Sequence, residues 1–247
     1  MTDTPSLEHQ LDLQIQSFSQ CLQQELGQAF QHLKEEYADP AYGIYAIGLY
    51  YDQGSWQHIA PLLASEKALD WQANQDQDSP LSIADRKTSR RWGLIDNPHA
   101  QTVMDQDWLP ESLAVLEQIQ ALLEEAEEEI EATEPEHRFH QALIEDLIRD
   151  HYLQLRLAAR RALLNLKGEP WFQDWLAETG AILVTDATPY DDVVQLEDIH
   201  ALNDEAGYRR FYEGRQAMTA MCAKEAALIK DMPDHWVNQA ARELEAD

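Results

Sequence analysis

The sequence predicts an α+β protein in which a small, mostly antiparallel sheet packs with long amphipathic helices. The stretch YGIYAIGLYYDQGSWQHIAP, Tyr42 to Pro61, is aromatic and β-branched and turns at a glycine, which is typical of a β-hairpin. A short apolar run, AILVTD, predicts one more strand near residues 181–186. Most other segments carry apolar residues at three- and four-residue steps, and this spacing predicts helices.

The first expected element is a long helix that begins at Thr4-Pro5 and ends at Asp39-Pro40. Threonine suits the N-cap, and proline is favoured at the first helical position. The residue before a proline is driven out of the helical conformation, so the second proline marks the end. The apolar residues between these ends form one stripe: Leu7, Leu11, Ile15, Phe18, Leu22, Ala29 and Leu33.

The hairpin is expected over residues 43–60. Both faces of its first strand are apolar or small, so we expect it to be covered on both sides. Asp52-Gln53-Gly54 forms the turn, and Pro61 ends the returning strand. Gly48 indicates close packing by a helix or a β-bulge. The residues expected to hold the hairpin together are Tyr45, Leu49, Tyr50, Gly54 and Trp56.

The middle of the chain predicts three helices after a polar stretch. Residues 72–90 are polar and have no period, which predicts a loop or an exposed edge, and residues 91–95 suggest a short strand. Helices with proline or glycine at their ends are expected at 110–130, 136–167 and 170–179.

The last part of the chain is expected to be mainly helical. VVQLEDI, residues 193–199, predicts a further strand or an ordered edge, and helices follow at about 204–231 and 234–244. The domain organisation that we expect is an α+β domain over residues 1–203. A C-terminal helical extension, residues 204–247, packs on the same domain.

The composition predicts a globular protein with its own core. The 247 residues are 44% apolar and include seven tryptophans, so no metal or disulfide is needed for folding. Cys21 and Cys222 have no ligand-like spacing and are expected to be buried, reduced thiols, which fits a cytoplasmic protein. No basic, apolar leader is present and no run approaches about 18 apolar residues, so we expect no signal peptide and no membrane partner.

The formal net charge of −28 bears on the expected partners. A field of this sign repels phosphate backbones, so we expect no nucleic acid partner. The same field attracts a basic protein partner, although acidity that serves only solubility is the simpler alternative. The basic clusters are expected to pair with neighbouring acids: Arg86, Lys87, Arg90 and Arg91, and then Arg156, Arg160 and Arg161.

The best candidate for a metal site lies at the start of the 136–167 helix. His137, His140 and His151 fall on one side of that helix, and Glu134 stands three residues before the first of them. Carboxylate and imidazole groups on a helix can hold zinc or iron. The same side is apolar and Pro135 interrupts the geometry, so structural histidines are the simpler alternative.

Other catalytic or binding motifs are weak. The spacing from Asp186 to Glu197 matches the first and last ligands of a calcium-binding EF-hand loop, but Asp191 stands where that loop needs glycine. We therefore expect a solvated turn there. The sequence has no GxSxG, GxGxxG or Walker loop, so no cofactor is expected.

Three segments carry a resemblance to a known family: Tyr45–Asp52, Ala162–Leu166 followed by Gly168 and Phe172, and Ile182–Asp186 followed by Leu202-Asn203. They are similar to the opening strand, a helix end and the late strand of the bacterial domain of unknown function family 4303. The likeness runs from Leu7 to Asn203 and departs from the family at Trp92-Gly93-Leu94, where tryptophan-serine-proline is common. The resemblance implies no catalytic residues, because the family has no established activity. By analogy with acidic families of this kind, it implies toxin-neutralising immunity as one version of the function.

We therefore predict a cytoplasmic, non-enzymatic protein that acts by binding another protein. One alternative is a metal-dependent enzyme that uses His137 and His140 with a nearby carboxylate. The other is a self-associating structural protein, in which long helices pair across the two-fold axis of a homodimer.

Overall fold

The computed structural model describes residues 6–52, 58–132, 138–188 and 192–232, together with Val237. The strands within these ranges are β1 (Ile44–Asp52), β2 (Ile59–Ser65) and β3 (Ile182–Thr188). The α-helices are α1 (Leu7–Glu36), α2 (Glu66–Gln75), α3 (Ile83–Arg90), α4 (Pro98–Met104), α5 (Pro110–Ala132), α6 (Arg138–Lys167), α7 (Pro170–Thr179), α8 (Asp192–Leu202) and α9 (Glu205–Lys230).

The α+β prediction is confirmed, but the sheet is mixed. Its strand order is β2-β1-β3, and β1 pairs antiparallel with β2 and parallel with β3. A parallel pair needs a long crossover connection, and the chain from β2 to β3 supplies one through six helices. The expectation of a mostly antiparallel sheet is therefore wrong for β3, which runs parallel to β1. The spacing of residues in the sequence does not indicate the direction of this strand.

The returning strand of the hairpin is longer than expected. Pro61 does not end β2, which continues to Ser65 and places Pro61 opposite Leu49 of β1. A proline is tolerated here because β2 lies at the edge of the sheet. Residues 53–57, which include the expected turn, lie outside the described residues.

The expected loop over residues 72–90 is wrong, because it holds the end of α2 and all of α3. Each helix begins after a capping serine. Ser65 Oγ accepts a hydrogen bond from the Ala68 N–H, and Ser82 Oγ accepts one from the Asp85 N–H, both at 3.2 Å. Residues 91–95 form no strand, and a 3₁₀ turn follows at Leu94–Asp96.

The expected strand or edge at residues 193–199 is also wrong, because this segment belongs to α8. The two adjacent valines favour a strand by propensity, but burial decides the outcome. The buried residues of α8 recur at helical spacing: Gln195, Asp198, Ile199 and Leu202.

The long helices agree with the sequence prediction. The described part of α1 begins after Ser6, whose Oγ accepts a hydrogen bond from the His9 N–H at 3.3 Å, so Ser6 is the N-cap instead of Thr4. The expected helix at 234–244 falls outside the described ranges apart from Val237. None of the described helices is long and apolar enough to cross a membrane.

Helices cover both faces of the sheet, as the apolar faces of β1 predict. Ile47 and Leu49 belong to a large core that they share with α1, α5, α6 and α7. Ala46, Leu62 and Val184 belong to a second core with α2, α4, α8 and α9. The sheet is thus the middle layer of the described structure.

A carboxylate from α1 caps the start of α5. The buried Glu25 accepts hydrogen bonds from the backbone N–H groups of Glu111 (2.8 Å) and Ser112 (2.9 Å), and from the Ser112 hydroxyl (2.6 Å). A negative charge at a helix N-terminus also interacts favourably with the helix dipole. Glu25 therefore fixes the position of α5 against α1.

Trp92 joins α9 to the second core. Its ring packs between Tyr45, at a centroid distance of 5.6 Å, and Phe211 of α9, at 4.9 Å. Gly214 leaves room for the indole, since a Cβ there would overlap Trp92 Nε1. The start of the expected C-terminal extension thus packs against the sheet layer.

Gly48 admits the backbone of β3, and not a helix or a bulge. A Cβ at this position would overlap the carbonyl oxygen of Val184 in the neighbouring strand. We expect Gly48→Ala to lower the free energy of unfolding by about 3 kcal/mol or more, because the strands must separate. Urea denaturation measures this change.

Gly27→Ala is the matched control for Gly48→Ala. A Cβ at Gly27 in α1 would make an ordinary 3.5 Å contact with Leu166 Cδ2. Alanine has the higher helix propensity, so the free energy of unfolding of this variant should rise by about 0.5–1 kcal/mol. Equal effects of the two substitutions would contradict the close approach at Gly48.

Candidate functional site

The residues of the predicted metal site are only partly described. Glu134 and His137 lie outside the described residues, and His140 belongs to α6. Within the described ranges, no group of three or more His, Cys, Asp or Glu side chains could hold a metal ion. The metal hypothesis therefore stays a prediction.

His151, the third histidine of that face, is buried in α6. Its Nδ1 lies 2.6 Å from the carbonyl oxygen of Leu147, which can only accept, so Nδ1 carries the proton. Nε2 is buried without a hydrogen-bond partner among the described residues. The Asp12 carboxylate lies 4.0 Å from this nitrogen. Packing between α1 and α6 accounts for His151.

The predicted hairpin residues are packing residues where they are described. Tyr45 and Leu49 are buried, and the Tyr45 hydroxyl donates to the carbonyl oxygen of Arg91 at 2.7 Å. Tyr50 is half-buried, and its ring lies 5.6 Å from that of His58. Two of the predicted residues lie outside the described part: Gly54 and Trp56.

A groove along α5 is lined by both apolar and acidic side chains. It has a volume of about 470 Å³ and lies between one face of α5 and His58, at the start of β2. Leu113, Leu116 and Ala121 supply apolar surface. Its α5 residues recur at helical spacing, so they form a single stripe: Leu113, Leu116, Glu117, Gln120, Ala121 and Glu124. We call this feature the α5 groove.

Two exposed carboxylates give the α5 groove its charge. Glu117 and Glu124 stand seven residues apart, which is about 10.5 Å along a helix axis. Neither forms an ion pair with a described residue, so each is available to a cation from outside. The sequence has no motif at this groove; the local signal is a pair of glutamates beside Leu113 and Leu116 at helical spacing.

A different group of charges is buried beneath α8. The carboxylate of Asp198 is fully buried and accepts hydrogen bonds from Arg156 Nε (3.1 Å) and Nη2 (3.0 Å) and from Arg160 Nη1 (3.2 Å). The hydroxyls of Thr185 (3.2 Å) and Tyr51 (3.5 Å) also point at it. The prediction that Arg156 and Arg160 pair with acids is confirmed.

The pKa values around Asp198 follow from this burial. Burial alone would lower the pKa of Arg156, but the hydrogen bonds and negative charge of Asp198 outweigh it and raise that pKa. Burial, with the charge of Asp198, raises the pKa of the Tyr51 hydroxyl. Arg156 therefore stays a cation and Tyr51 stays neutral, so both keep their hydrogen bonds to Asp198.

Asp186 is the buried acid with the most perturbed titration. It lies at the carboxyl end of β3, and its Oδ1 accepts from the Ala187 N–H (3.1 Å) and from Gln195 Nε2 (3.2 Å). Burial raises its pKa to about 6, although the hydrogen bond from the Ala187 N–H and the charge of Arg215 oppose the shift. The expected solvated turn is therefore wrong at Asp186, which faces the second core.

The other basic cluster is also largely paired. Lys87 contacts Asp70 at 2.6 Å, Arg90 pairs with Asp76, and the expectation of neighbouring acids is confirmed for both. Arg91 pairs with Glu66. The cysteines differ from the expectation, because Cys21 is half-buried and Cys222 is exposed.

Comparisons with known proteins add no assignment. No protein-family model, no curated protein and no solved structure matches this chain. The resemblance to the domain of unknown function family 4303 therefore stays a prediction. Its segments form β1, the end of α6, β3 and the end of α8, where the Asn203 side chain accepts from Leu183 N–H (2.9 Å) and donates to Leu183 C=O (2.7 Å).

Removing the Asp198 carboxylate should destabilise the protein strongly. Asp198→Ala leaves the buried Arg156 with only the exposed Glu197 as a counter-charge, so we expect a loss of about 3–5 kcal/mol in the free energy of unfolding, measured in urea. Glu197→Ala is the control, because Glu197 also pairs with Arg156 but is largely exposed. It should cost less than about 1 kcal/mol. Similar losses in the two variants would contradict the account.

Asp186→Asn should change how stability depends on pH. The folded pKa of about 6 exceeds the ordinary value of 3.8, so the folded state binds the proton more tightly and stability falls as the pH rises between these values. Asparagine does not titrate. The unfolding free energy of the variant minus that of the wild type should therefore rise by about 1 kcal/mol from about pH 5 to about pH 7.5.

Asp150→Asn, on the exposed face of α6, is the control for Asp186→Asn. Chemical denaturation at both pH values should show no such rise for this variant. A pH-independent difference between Asp186→Asn and wild type would contradict the raised pKa.

Proposed function

We propose that this protein acts by binding a basic, amphipathic segment of another protein in the α5 groove. The observation that supports the proposal is the pairing of an apolar floor with two exposed, unpaired carboxylates along one helix face. Apolar contact supplies affinity, and the charges supply orientation and a faster association.

The distance between Glu117 and Glu124 restricts the kind of helix that can bind in the groove. A helix that lies along α5 would meet Glu117 and Glu124 with basic side chains about seven residues apart, since both helices rise about 1.5 Å per residue. Leucine-like side chains beyond the cation that meets Glu117 would face Leu113 and Leu116, and a small side chain between the two cations would face Ala121. This is the helix-in-groove mode of recognition, with a charged pair at each end.

The net charge of −28 supports the same reading at long range. A basic partner is attracted before contact, and this attraction weakens as salt screens it over about 8–10 Å. Neutralisation of a basic toxin is one concrete form of the proposal. We also propose a cytoplasmic location, which the two free cysteines support.

A defined peptide tests the proposal. The probe is a fluorescent amphipathic helix with lysines seven residues apart and leucines on the same face, beyond the lysine that meets Glu117. We expect Glu117→Lys/Glu124→Lys to weaken its binding by about tenfold or more, because two attractions become repulsions. Fluorescence anisotropy at fixed ionic strength measures the dissociation constant.

The matched control is Glu145→Lys/Asp150→Lys on α6. It makes the same change in net charge at exposed positions outside the groove, and it should weaken binding by less than about threefold. Equal losses in both double variants would show that the overall field, and not the groove, attracts the peptide. Equal binding of a peptide with the same composition but scrambled spacing would also contradict the proposal.

A further inference from the structure

A second cavity has the opposite electrostatic character. It lies where the amino ends of β1 and β3 meet α9, and it has a volume of about 520 Å³. We call it the amino-end cleft. Its polar lining includes Arg91, Arg210 and Glu66, and its aromatic lining includes Tyr45 and Trp92.

Arg91 is held in place at one wall of the amino-end cleft. Its guanidinium lies 4.7 Å from the centroid of the Tyr45 ring and pairs with Glu66. Glu66 is shared, because Lys87 Nζ lies 3.5 Å from its other oxygen. Lys87 also contacts Asp70 at 2.6 Å, so two cations face two carboxylates. Only Nη2 of Arg91 donates to Glu66, which leaves other guanidinium donors of Arg91 open to a ligand.

Arg210 reaches the same cleft from α9 without a carboxylate partner among the described residues. Its Nη2 donates to the carbonyl oxygen of Gly180 at 2.7 Å, which fixes the side chain and leaves the other guanidinium donors open. Partial burial and then the positive charge of Arg91 lower the pKa of Arg210, and Asp204 opposes this shift. The two guanidinium groups thus repel each other across one cavity.

The wall of the cleft carries a further unsatisfied donor. The buried indole nitrogen of Trp92 has no hydrogen-bond partner, and it lies against Gly214, which also lines the cleft. Its N–H dipole adds positive potential.

We propose that the amino-end cleft binds a small anion of the phosphate or carboxylate class between Arg91 and Arg210. Guanidinium groups match the paired oxygens of both anions and form strong, charge-assisted hydrogen bonds with them. The bound anion relieves the repulsion between the two arginines. The distant acidic residues oppose binding weakly, because salt screens them beyond about 10 Å.

Isothermal titration calorimetry of the full chain tests the site with inorganic phosphate and with succinate. The ionic strength is held constant with chloride. Arg210→Gln should weaken binding by about tenfold or more, the effect of losing a hydrogen bond to a charged group. Arg210→Lys keeps the positive charge but loses the paired N–H donors of the guanidinium. Its affinity for the anion should therefore lie between that of Arg210→Gln and that of the wild type.

Arg209→Gln is the matched control, since Arg209 is the neighbouring arginine of α9 and pairs with Glu205 on the exposed face. It should change the affinity by less than about twofold. Glu66→Gln removes the carboxylate that competes for Arg91, and it should tighten binding by about threefold or more. Such a gain cannot arise from partial unfolding.

The same titrations also distinguish between the two classes of anion. Tighter binding of phosphate assigns a phosphate site, and tighter binding of succinate assigns a carboxylate site. The proposal is overturned if neither anion saturates the wild-type protein, or if Arg209→Gln weakens binding as much as Arg210→Gln.

Discussion

The buried carboxylate of Asp198 is the interaction on which the arrangement of elements depends. It lies on α8 and contacts Arg156 and Arg160 of α6, Thr185 of β3 and Tyr51 of β1. A charge in an interior is unfavourable unless its partners surround it, so these four elements must meet in one geometry. With α8 in place, Asn203 can bind the backbone of β3, and α9 can begin beside the amino ends of the strands.

This constraint separates the interior from the surfaces that we assign to binding. Asp198, Arg156 and Glu25 are charged and buried, and each is satisfied by groups that belong to the fold. The unpaired charges of the two features that we assign to binding lie at the surface instead. Glu117 and Glu124 give the α5 groove a negative wall, whereas Arg210 gives the amino-end cleft a positive one. The two features differ in sign, so they suit ligands of opposite charge.

Much of the fold could be predicted from periodicity and end signals. The ends of α7 follow from Pro170 and Gly180, and the apolar faces of β1 correctly indicate a strand covered on both sides. Strand direction could not be predicted, because β3 pairs with β1 across six helices. The sequence does not predict α8, because its two adjacent valines favour a strand. The helical spacing appears only in the set of α8 residues that the fold buries, and two of these are polar.

The candidate sites were harder to predict, because they depend on contacts between distant segments. Arg91 and Arg210 are 119 positions apart in the chain and meet only when α9 packs on Trp92. The α5 groove has a local signal, glutamates beside leucines at helical spacing, but His58 joins it only through the hairpin. Charge composition indicates the sign of a partner and not the place where the partner binds.

Hydrogen exchange of the full chain with and without the lysine–leucine helix shows where the helix binds. We expect slower exchange in residues 113–124 of α5 and around His58, with α3 and α9 unchanged, because a bound segment shields the groove it occupies. Protection that is confined to another face, or that spreads evenly over the acidic surface, would show that the α5 groove is not the binding site.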